Sequence, residues 1–99
     1  MSVLLRKGAY AVANAQTITT GSSSNATAAF SSVASILRVT TNADTYIAWG
    51  ANPTAYNTGN CMLIVGGGVE FIAVNAGDKV AAIQSTTSGL CNVLELKSQ

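Results

Sequence analysis

The chain has 99 residues, 48% of them hydrophobic and only 9% charged, and its five basic and four acidic side chains give a formal net charge of +1. That length suits a single domain with a modest core, and so balanced a charge leaves no electrostatic footprint for nucleic acid. Histidine is absent, which excludes histidine-based acid–base catalysis and Ser-His-Asp triads.

An ordinary soluble domain carries about 25% charged residues, so the surface here must be built from Ser, Thr, Asn, Gly and Ala. Gly, Asn and Thr also interrupt every apolar run before it reaches the length of a membrane span. No membrane partner is expected. A weakly charged, near-neutral surface suits a protein that lives inside an assembly.

Taken from the N-terminus, Val3–Lys7 and Tyr10–Ala13 are strand-prone, and residues 1–15 read as an N-terminal strand or an arm that contacts neighbours. Arg6-Lys7 follows Leu4-Leu5 rather than preceding an apolar run, so a strand or arm is expected here rather than a cleavable signal. Gln16–Thr20 alternates around Ile18. Residues 21–28, GSSSNATA, have no large apolar side chain and are expected to form an exposed loop.

Phe30–Thr40 could open with a helical turn, but the β-branched run Ile36–Thr40 ends it as a strand. Period two places Leu37 and Val39 on one face and Ile36, Arg38 and Thr40 on the other. Thr41–Asp44 is turn chemistry, and Thr45–Gly50 is the next strand, expected to pair with the previous one as a hairpin. Pro53 ends that strand and opens a polar loop with one aromatic, Tyr56. Cys61–Val65 is a short apolar strand, and Gly66-Gly67-Gly68 bends the chain.

Val69–Ser85 is the organising stretch. Its strands, Val69–Val74 and Lys79–Ile83, flank Asn75-Ala76-Gly77-Asp78, where Gly supplies positive φ and Asn and Asp close local hydrogen bonds, and the pattern predicts an antiparallel hairpin. Leu90–Leu96 is the last strand. About eight short strands at intervals of about 8–12 residues predict an all-β fold, a small antiparallel β-sandwich or jelly roll. Leu37, Val39, Ile47, Trp49 and Phe71 are its expected core.

Two strands do not fit a monomer. In the last, Cys91 and Val93 share one face while Leu90, Leu94 and Leu96 share the other, and Lys79–Ile83 is apolar on both sides in the same way. A sandwich strand should be polar outside, so a symmetric neighbour is the expected cover, with Leu90, Leu94 and Leu96 as the self-association candidates.

Nothing here assembles catalytic chemistry. Asp44, Glu70, Asp78 and Glu95 have no spacing that pairs them, and Gly66-Gly67-Gly68 lacks the Lys and helix of a phosphate-binding loop. Cys61 and Cys91 are too far apart in sequence for a CxxC site and are expected as unbonded thiols. No enzyme activity, cofactor or metal is expected. The aromatics could form a sugar-stacking platform, yet strand patterns favour the core for all but Tyr56, which remains the candidate loop contact.

The runs LRVTTNADTYIAWGANPTA, CMLIVGGGVEFIAVNAGDKVAAIQ and SGLCNVLEL resemble the small all-β virion proteins encoded near the capsid genes of tailed bacteriophages. Residues 36–96 carry the likeness, and residues 1–30 match no pattern. The resemblance implies a capsid decoration (cement) protein, located on the virion and assembled in the host cytoplasm. Such a protein binds the major capsid protein, bridges capsid subunits and is often a homotrimer. The rival is a neck or tail accessory, or a surface module whose loops 21–28 and 51–60 contact host glycan.

Overall fold

The computed structural model describes residues 10–31, 36–58 and 61–98. The strands are β1 (Tyr10–Thr19), β2 (Asn25–Ala26), β3 (Ile36–Thr41), β4 (Thr45–Gly50), β5 (Met62–Ile64), β6 (Val69–Ala73), β7 (Lys79–Gln84) and β8 (Leu90–Ser98). Val3–Lys7, and with it most of the expected arm, lies outside the described residues. Residues 10–15 are no free arm, because β1 runs unbroken through them and pairs with β8 from Tyr10 to Thr19, with one bulge between Val12 and Asn14.

Every strand pairs antiparallel with its counterpart counted from the other end of the chain: β1 with β8, β2 with β7, β3 with β6, β4 with β5. Two further pairings, β3 with β8 and β4 with β7, roll this ribbon into two four-stranded sheets. Their orders are β1-β8-β3-β6 and β2-β7-β4-β5, the eight-stranded jelly roll of two packed antiparallel sheets. We call them sheet A and sheet B.

This winding overturns both expected hairpins. Thr41–Asp44 and Asn75–Asp78 are turns, and Gly77 takes φ of 77°, but each turn carries the chain from one sheet to the other instead of back along its own. β6 pairs with β3, and β7 with β4 and β2. A tight turn ends a strand without naming its partner, and here stacking two apolar faces won over pairing neighbours in sequence.

The core lies between the sheets. Leu37, Val39, Cys91 and Val93 from sheet A meet Ile47, Ile64, Val80 and Ala82 from sheet B, with Ile18, Ile72 and Phe30 completing the cluster. Leu37, Val39 and Ile47 are buried as expected, but Trp49 (37% exposed) and Phe71 (42% exposed) are not. Trp49 points to the inner face, opposite Val80, at the last positions of β4 where the sandwich opens. Phe71 pairs with Arg38 on the outer face, because Ile72 takes the inner position and Glu70 escapes at the edge of the sheet.

The loop over residues 21–28 is more ordered than its composition suggests. β2 lies within it, and buried Thr27 both donates its backbone N–H to Val80 O and accepts the Val80 N–H on Oγ1 (2.8 and 3.0 Å). Residues 30 and 31 are not helical. One end of the sandwich is tightly tied. Thr20 Oγ1 accepts from Gly89 N (2.8 Å), Asn42 Oδ1 from Leu90 N (2.8 Å), and Asp44 Oδ1 from Gly66 N (2.8 Å). Gly89 is required there, since a Cβ would sit 2.5 Å from Asn42 Oδ1.

Candidate functional site

The outer face of sheet A is built by strand alternation. Opposite each other across β1, β8, β3 and β6 lie Ala15, Leu94, Arg38 and Phe71, and in the next outward row Val12, Leu96, Ile36 and Ala73. Towards the tied end come Thr17, Asn92, Thr40 and Val69, then Thr19 beside Leu90. Val12, Val69, Phe71 and Leu90 are each at least two-fifths exposed, Leu94, Leu96 and Arg38 are half-buried, and Ile36 is buried. The three leucines singled out in the sequence thus share one face, and the structure adds Val12, Val69 and Phe71 to them. Arg38 is the single cation among these rows, flanked in register by Leu94 on β8 and Phe71 on β6.

β7, the other strand that is apolar on both sides, needs no neighbour. Ala81 and Ile83 on its outer side are buried with Ala55, and Tyr46 packs against them. Ala55 comes from the loop after β4, held by a hydrogen bond from its N–H to Ser24 Oγ (2.9 Å). The chain's own loop therefore covers the outer side of β7, while Leu63 on β5, opposite Tyr46, stays exposed. Tyr56, next in that loop, is 57% exposed, and its N–H donates to Cys61 Sγ (3.3 Å).

At the end opposite the tied loops, a groove of about 410 Å³ opens between Trp49-Gly50-Ala51 and the β6–β7 turn, with Val74, Asn75 and Asp78 on its far wall. Asp78 is buried, and its Oδ2 accepts the Asn75 N–H (2.9 Å). Behind it, Phe30 N donates to Asp78 O (2.9 Å) and Gly77 N to Ser31 O (3.2 Å), which fixes the turn. Ser31 in turn donates through its N–H (3.0 Å) and hydroxyl (2.6 Å) to the buried carboxylate of Glu95. Glu95 lies on the inner face of β8, in line with Cys91 and Val93. Its burial was not expected, though period two from Cys91 points to it.

Both cysteines are free thiols. Cys91 is sealed in the core, and burial pushes its thiol from 9.0 up to about 11, so it is protonated and unreactive at neutral pH. Among the described residues no three His, Cys, Asp or Glu side chains gather as metal ligands, and no helix is long and apolar enough to cross a membrane. No protein-family model matches the chain, and no curated protein or solved structure is significantly similar to it.

Proposed function

We propose that the chain is a non-enzymatic structural protein of a tailed-bacteriophage virion, a capsid decoration protein that stabilises the head by bridging subunits of the major capsid protein. It acts as a homotrimer joined through the outer face of sheet A. The observation that carries this reading is that face itself, where Leu90, Leu94, Leu96, Phe71, Val69 and Val12 stand together with one cation among them. An outer sheet face this rich in apolar side chains, on a chain with net charge +1, supports a surface that is covered in the working protein.

The three-fold symmetry rests on the resemblance to virion proteins, and the jelly roll adds support by analogy alone, since that fold recurs in viral capsid and lectin domains. Many modest contacts repeated by symmetry give the assembly its avidity, so each copy needs to bury only a small area.

Quantitative mass spectrometry of purified virions tests the location. A decoration protein is present in numbers comparable to the major capsid protein. A handful of copies per particle would instead favour the tail or neck accessory, with Tyr56 on its exposed loop as a contact.

A further inference from the structure

We infer that the groove beside Trp49 is a binding site for a neutral pyranose ring, with Trp49 as the stacking face and Asp78 as the hydroxyl acceptor. A tryptophan on the inner face of a sandwich belongs in the core, yet this one is 37% exposed and forms one wall of a cleft of about 410 Å³. A large flat aromatic face that keeps contact with water is suited to the C–H face of a sugar, which is apolar on one side and ringed with hydroxyls at its rim.

The opposite wall supplies the polar half. Asp78 Oδ2 is used by the Asn75 N–H, whereas Oδ1 has no hydrogen bond among the described residues. No buried side-chain polar atom among the described residues is left unsatisfied, so Oδ1 is not sealed from solvent, and Asp78 borders the groove. The Oδ2 bond to the Asn75 N–H holds the carboxylate, and the turn that carries it is tied through Asp78 O and Gly77 N to Phe30 and Ser31. A charged acceptor and an aromatic side chain that line one groove are the small set of convergent polar and apolar groups that orients a ligand in a pocket. The negative charge selects against uronic and sialic acids.

The groove shares only Ala73 with the outer face of sheet A, and the inference does not depend on assembly. Trp49 is the sole tryptophan, so its emission reports on the groove directly. Full-length protein is titrated with the methyl glycosides of glucose, galactose, mannose, N-acetylglucosamine and N-acetylgalactosamine, and with methyl glucuronide as the acidic counterpart. At least one neutral glycoside should change the emission saturably with a half-point in the range of about 1–10 mM, as a single-ring contact allows.

Asp78→Asn keeps an acceptor for the Asn75 N–H and should weaken that binding about tenfold, the loss of one charge-assisted hydrogen bond. Trp49→Leu should abolish the heat of binding in calorimetry while leaving a cooperative melt. Leu94→Glu should bind as the parent does, which separates this site from the assembly surface. The inference is overturned if no neutral glycoside gives a saturable change, if methyl glucuronide binds equally well, or if Asp78→Asn binds unchanged.

Discussion

The two sheets start from the same difficulty, central strands that are apolar on both sides, and resolve it differently. In sheet B the outer residues Ala81 and Ile83 of β7 are closed over by Ala55 from the chain's own loop. In sheet A nothing among the described residues closes over Phe71, Val69, Val12 or Leu90, all of them exposed. A two-sided strand is therefore not in itself a sign of a partner. What separates β7 from β8 is whether an adjacent connection is long enough, and has one small apolar side chain in the right place, to fold back. The loop between β4 and β5 meets both conditions, and among the described residues no such loop lies over β8.

Substitutions can test this contrast from the core outwards. The inner faces of the two sheets should be equivalent: Leu37→Ala in sheet A and Ile47→Ala in sheet B, both essentially fully buried, should each cost about 2–5 kcal/mol in urea unfolding. A much smaller loss at Leu37 would mean that sheet A is loosely packed, and its outer apolar residues would then reflect poor order rather than an interface.

The sealed inner side of β8 predicts a pH effect. Cys91 has its thiol raised by burial from 9.0 to about 11 in the folded chain, so between those values the unfolded chain releases the proton first. Its contribution to stability is fully present below about pH 9 and is lost as pH rises through about 11, a change of about 2–3 kcal/mol. Cys91→Ala should flatten that part of the stability profile. An unchanged slope would show that water reaches the inner side of β8.

The outer faces should then diverge. Ile83→Ala, on the covered side of sheet B, should cost about 1–3 kcal/mol, because it opens a space beneath Ala55. Leu94→Ala on the half-buried face of sheet A should cost under about 1 kcal/mol when measured on dilute monomer. Equal losses at the two positions would erase the contrast. The smallest effect concerns Trp49, whose open position puts the cost of Trp49→Leu well below the roughly 3–5 kcal/mol of truncating a fully buried tryptophan.

Strand existence was legible in the sequence, since alternation and turn residues marked nearly every strand from Tyr10 onward. Strand partnership was not. Asn42-Ala43-Asp44 and Asn75–Asp78 look like hairpin turns because the same Asx and Gly chemistry serves a turn between sheets, and only the global winding decides between the two. The outward set Leu90, Leu94 and Leu96 followed from period two. Phe71 lies within a strand pattern, which suggests the core without settling which face it takes; Ile72 holds the inner position, and at a sheet edge Glu70 on the inward side still reaches water. Trp49 has inward parity but sits where β4 outruns its cover, which periodicity does not encode.

The central claim, that the outer face of sheet A is a self-association surface, is tested most directly by sedimentation velocity on the full chain at micromolar concentration, beside Leu94→Glu. The account predicts a trimer for the parent chain and a folded monomer for Leu94→Glu, because a charge placed in a desolvated contact without a partner is strongly unfavourable. A stable, soluble monomer for the parent chain, or a trimer that survives Leu94→Glu, would contradict it.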